Sequence, residues 1–117
     1  MAGFEIKERQ AGDVTILDVE GEIVIGEGHV ALRAAVRRLV EAGRSKLVLN
    51  FARAGHVDEI GLGEIASSGL RVERAGGRLR LLNLTRSLHD MLSAHQLLPH
   101  FDVHTDEAAA VDSFGRD

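Results

Sequence analysis

The chain contains no cysteine, no tryptophan, no tyrosine and a single proline, Pro99. Lacking cysteine, it has no disulfide framework, no thiolate metal site and no cysteine nucleophile. With only four Phe as aromatics, it offers no platform on which bases or sugars could stack, and its core must come from Leu, Val, Ile and Ala. No apolar run approaches the ~20 residues of a membrane helix, and no basic-then-apolar leader opens the chain; a cytoplasmic protein without a membrane partner is expected. Lys and Arg total 14 against 18 Asp and Glu, a net charge of −4. That balance makes nucleic acid and acidic lipid surfaces poor partners. At 117 residues the chain has the length of one domain, expected to span residues 1–117 with a core over 4–114.

What is present is a regular change of hydrophobic period. Phe4 to Arg9 begins by alternating apolar and polar, and Val14 to Glu20 comes after Ala11-Gly12-Asp13, predicting an antiparallel hairpin. Gly21 and Gly26-Glu27-Gly28 interrupt. Over Val30–Ala42 the period becomes helical, with Leu32, Val36, Leu39 and Val40 on one face and Gly43 at the expected left-handed stop. Leu47–Phe51 is nearly all apolar, as a strand covered on both faces would be. Ala52–Val57 reads as irregular. A helix carrying Leu62, Ile65, Ala66, Gly69 and Leu70 then ends at Ala75-Gly76-Gly77. Arg78–Leu82 reads as a strand, Thr85 as the N-cap of a short helix, Phe101–His104 as a last strand, and Asp106 as the cap of a terminal helix. The order β-β-α-β-α-β-α-β-α predicts an α/β domain: a mixed, mostly parallel sheet of four to five strands flanked by about four helices.

The motifs that could carry chemistry are weak. Gly61-Leu62-Gly63-Glu64-Ile65-Ala66 fits a dinucleotide fingerprint, which needs a strand running straight into the glycines. Here about ten residues of other sequence separate it from the Leu47–Phe51 strand, and Asp58 and Glu59 put negative charge where a phosphate would sit, so a helix packed closely on the sheet is the better reading. His95, His100 and His104 lack metal-ligand spacing, and Ser67 and Ser68 have no histidine at helical spacing to act as base. The expectation is no enzyme, no catalytic residue, no metal and no cofactor. The start of the second helix remains. Asp58 and Glu59 suit the positive end of a helix, and Ile60 and Leu62 beside glycines suit a contact patch.

The segments Glu20-Gly21-Glu22-Ile23, Leu47-Val48-Leu49-Asn50-Phe51, Val57-Asp58-x-x-Gly61-Leu62-Gly63 and Ala75 through Asn83, taken in order, resemble the STAS domain family, in particular bacterial anti-sigma factor antagonists. The resemblance implies a sheet flanked by helices and a regulator that sequesters an anti-sigma factor, often a serine kinase. In regulated members the tetrad reads Asp-Ser-Ser-Gly and the serine before the glycine is phosphorylated. Here it reads Asp58-Glu59-Ile60-Gly61, so no phosphorylation is expected and Ile60 stands at the serine position. Val24 stands where an acid is frequent. The resemblance therefore implies a partner-binding surface of Ile23, Val24, Asp58, Glu59, Ile60, Gly61 and Leu62. Its expected occupant is an anti-sigma factor or serine-kinase-type regulator. The alternative is a scaffold module that assembles as a homodimer or with other STAS proteins.

Overall fold

A computed structural model describes residues 3–116. Five strands form one sheet in the order β1 (Glu5–Ala11), β2 (Val14–Ile23), β3 (Lys46–Val57), β4 (Arg78–Leu82) and β5 (Asp102–His104). β1 is antiparallel to β2, and every later pairing is parallel. Between the strands run α1 (Glu27–Glu41), α2 (Glu59–Arg74) and α3 (Arg86–Ala94), and α4 (Glu107–Ser113) closes the chain, ending in a short 3-10 turn. This is the expected mixed, mostly parallel α/β sheet.

Spatial order equals chain order, so each right-handed crossover steps the same way and leaves its helix on the same side. The core records that asymmetry. Leu17, Val19, Leu47, Leu49, Phe51 and Leu81 pack under α1, α2 and α3. Val14, Ile16, Val48 and Leu82, of opposite strand parity, pack under Ala110 and Phe114 of the terminal segment. Side chains alternate faces along a strand, and here both faces of the central strands are covered, which accounts for the unbroken apolar run from Leu47 to Leu49. Gly43 and Gly76 take positive φ just past α1 and α2, as their helix-stop positions require.

Two expectations are corrected. Ala52–Val57 is not irregular: β3 continues through it, paired with β2 alone by way of Glu20↔Arg53, Gly21↔Ala54 and Ile23↔Val57. At each of two register shifts β3 carries an extra residue, a bulge that bends the strand and re-aims the side chains beyond it. These bulges break the alternation by which a strand is read. Leu70, placed on the apolar face of the second helix, is instead 46% exposed. Both leading helices also start earlier than their apolar periods, at Glu27 and Glu59, because a first turn need not carry the buried stripe of the helix.

Candidate functional site

Beyond the carboxyl ends of β2 and β3 the chain turns into α1 and α2, whose first turns lie side by side. Ligands and partners of parallel sheets meet such an edge, and the residues singled out from the sequence gather here. Asp58 is the N-cap of α2. Its Oδ1 accepts from the Gly61 amide at 2.7 Å and its Oδ2 from the Ile25 amide at 3.0 Å. The Asp58 amide in turn donates to the Ile23 carbonyl at 3.3 Å. One carboxylate thus ties the β2–α1 connection to the start of α2. Those two amides hold the Asp58 carboxyl below the usual carboxylate range, because hydrogen bonds to the charged form favour it.

The glycines are explained by the same closeness. A Cβ at Gly61 would lie 1.8 Å from the Ile23 carbonyl oxygen, and one at Gly28 would lie 2.3 Å from that of Glu22. Both helices press their first turns directly onto the end of β2. The Gly61-x-Gly63 pattern therefore serves helix–strand packing at Gly61, and Asp58 already occupies the Gly61 amide at the helix start. The connection is further fixed by His29, whose Nδ1 accepts from the Gly26 amide at 2.8 Å while its own amide donates to the Val24 carbonyl.

Of the expected contact residues, the structure sorts inside from outside. Ile23 and Leu62 are buried at 0% and 3% exposure; both belong to the core under the helices and support the surface from below, without presenting side chains to a partner. Gly61 is buried and Val24 half-buried, whereas Glu59 and Ile60 are exposed. Two exposed aliphatics join Ile60 that were absent from the expected set. Ile25, at 67% exposure, protrudes from the connection that Asp58 holds, and Val30, at 52%, lies in the first turns of α1. Farther along, Arg33 of α1 donates to the buried carboxylate of Glu64 of α2 at 2.9 Å. Val30 precedes Arg33 by three residues and Ile60 precedes Glu64 by four, so each sits about one turn before that bridge on its own helix. Val30 also lines a shallow pocket with Arg33, Arg37 and Arg38 of α1. The sequence signal for this patch was Val24-Ile25 running into Gly26, an apolar pair at a turn.

Among the described residues no group of three or more His, Cys, Asp or Glu is placed to hold a metal ion. No helix among them is long and apolar enough to cross a membrane.

A family model for the STAS domain matches residues 5–110. No curated protein matches the sequence. Solved structures resemble it throughout. TM1081 from Thermotoga maritima superposes with a TM-score of 0.85 at 19% identity, covering 92% of each chain. An anti-sigma factor antagonist from Mycobacterium paratuberculosis gives 0.82 at 17%, covering 98% of this chain and 96% of its own. The phosphorylated form of the Bacillus cell fate determinant SpoIIAA gives 0.74 at 20%, covering 96% and 99%.

Proposed function

The chain belongs to the STAS domain family, and from that membership we propose that it is a cytoplasmic anti-sigma factor antagonist that binds its partner without phosphoserine control. The observation that carries the reading is Ile60. It stands 46% exposed in the first turn of α2, at the position that holds the phosphorylated serine in regulated members, and it has no oxygen to accept a phosphoryl group. A phosphoryl group would add about −1.5 to −2 charges at a docking surface. An aliphatic side chain adds none, so binding at this face is not reversed by that route. Glu59 carries one charge on a shorter group, one position early, and does not reproduce a phosphoserine. Exposed Ile25, whose amide is held by the Asp58 cap of α2, adds a second aliphatic side chain at this end of the sheet, as a docking face requires.

The test uses candidate serine-kinase-type anti-sigma factors with ATP. The native chain is expected to form a complex whose affinity falls at least tenfold in Ile60→Asp with unchanged thermal unfolding, and its intact mass is expected to stay constant. Unchanged affinity in Ile60→Asp places the docking surface elsewhere. Stoichiometric phosphorylation within residues 56–63 defeats the claim of constitutive binding.

A further inference from the structure

β5 is an outer strand of the sheet, made of Asp102, Val103 and His104. The His104 carbonyl accepts from the amide of Asn83, just past β4, at 2.9 Å, so His104 turns its backbone groups inward. Successive residues of a strand turn theirs to opposite sides, which leaves the amide and carbonyl of Val103 aimed out of the sheet. Val103 is 38% exposed. Asp102 and His104 lie beside Arg80 and Leu82 and share the α4 side of the sheet, as alternate residues do. Asp102 is exposed, with Arg80 at 3.6 Å. His104 is half-buried, and its ring makes no hydrogen bond or ion pair among the described residues. Next to the strand, Leu70, Leu97, Pro99 and Phe101 line a groove of about 470 Å³ that reaches Asp102. The opposite edge of the sheet differs. On β1, Lys7 is held by Glu20, Glu8 by Arg38, and Arg9 by Asp18 and Glu107, so its charges are already matched within the molecule.

We propose that two copies of this chain pair β5 to β5, antiparallel about Val103, joining their sheets into one. In this register the two Val103 residues exchange both backbone hydrogen bonds. Asp102 of each copy then lies opposite His104 of the other, in the closer, non-hydrogen-bonded type of pair. An imidazole N–H donates to a carboxylate whether the ring is neutral or charged, and opposite charges across strands attract. A slip of one residue puts side chains on the wrong face. A slip of two opposes Asp102 to Asp102 or His104 to His104, and like charges so placed destabilise. Short charged edges ordinarily prevent pairing; the order Asp-Val-His instead permits one register. Three residues per edge make the contact weak, so concentration fills it. β5 lies two strands from β3, so pairing leaves the docking face proposed above open on both copies and does not depend on it.

Because the chain has no cysteine, cross-linking through a single introduced one tests the register directly. Across the two-fold axis the Cα atoms of residue 103 lie about 5.5 Å apart, within disulfide reach. Those of residue 105 are offset by four residues, about 13 Å along the strand, and are out of reach. Under mild oxidation Val103→Cys is expected to form a linked dimer at least tenfold faster than Thr105→Cys. Equal rates, or no link at residue 103, overturn the proposal. In sedimentation velocity the native chain is expected to sediment faster as its concentration rises from micromolar to millimolar. Val103→Pro removes an outward N–H and no bond to β4, and is expected to stay monomeric. Asp102→Lys is expected to weaken the dimer at least tenfold, and Asp102→Lys/His104→Asp, which reverses the pair, to recover it. A native chain monomeric throughout, a dimer that survives Val103→Pro, or a folded reversed pair that stays monomeric overturns the proposal. If thermal unfolding shows that a β5 variant does not fold, the cross-linking rates decide.

Discussion

At Gly61 a methyl group would sit 1.8 Å from the backbone oxygen of Ile23, whereas at Gly63, two residues on in the same helix, it would meet nothing within 4 Å. The contacting atom at Gly61 is backbone, so relief requires α2 to lift off β2. Gly61→Ala is expected to destabilise the fold by an amount on the order of 1–3 kcal/mol, as overpacking does. Gly63→Ala is expected to stabilise it by about 0.5–1 kcal/mol, the usual difference between these residues in a helix. Urea midpoints of the two variants therefore should move in opposite directions, and a shared direction refutes the packing argument. Residue-scale chemistry was partly legible. Asp58, Thr85 and Asp106 each cap a helix through a side-chain oxygen as their positions suggested, because capping depends on neighbours in sequence. Which of Ile23, Ile25, Ile60 and Leu62 face solvent was not legible. Four aliphatics in two glycine-punctuated segments look alike until the bulges of β3 and the tether from Asp58 fix their directions.

Elements are joined by contacts that no local pattern reveals. Arg9 of β1 donates from Nε and Nη2 to Asp18 of β2 and from Nη1 and Nη2 to Glu107 at the start of α4. Asp18 also accepts from Asn50, and Asn50 from Asn83, so a polar row crosses the sheet beside α4. Arg9 and Glu107 lie 98 residues apart, which hides the clamp from any windowed reading. Hydrogen bonds from Arg9 hold both the Asp18 and the Glu107 carboxyls below their ordinary range. Their folded pKa values being lower than the unfolded ones, the unfolded chain binds more protons on acidification. The clamp's contribution is full above the unfolded carboxylate range of about 4 and fades as pH falls through the folded values. Arg9 and Glu107 are both 43% exposed, so solvent screening limits each pair to about 1 kcal/mol or less. Arg9→Met is expected to lower the urea midpoint at pH 7 and to flatten its decline below about pH 4. A variant with the native slope in that acid range would show that the clamp does not couple α4 to the sheet.

For the whole molecule, the one-way march of the strands sets where function and stability lie. With α1, α2 and α3 on one side, the sheet's other side depends on a single short helix and its 3-10 turn. There Phe114, 5% exposed, closes Val14, Ile16, Val48 and Leu82 and lies under the Arg80 guanidinium, 4.1 Å from the ring centre. The element order predicted a layered α/β domain, since period and punctuation are local signals. The division of the helices between faces needed the sheet order, which no single segment encodes. That division separates two kinds of damage. Truncating Phe114 strips the cover from the second face and the aromatic partner from a buried arginine. Phe114→Ala is therefore expected to cost about 3–5 kcal/mol, the range for a buried phenylalanine, read as a fall in the urea midpoint. The proposed docking face is built from the carboxyl ends of β2 and β3 and the starts of α1 and α2, none of which touches Phe114's layer. At a temperature where Phe114→Ala remains folded, its affinity for the anti-sigma factor that the native chain binds should match the native value within about twofold, because distant sites act additively. Loss of binding in the folded variant would show that the two faces communicate through the sheet, and the separation argued from its topology would be wrong.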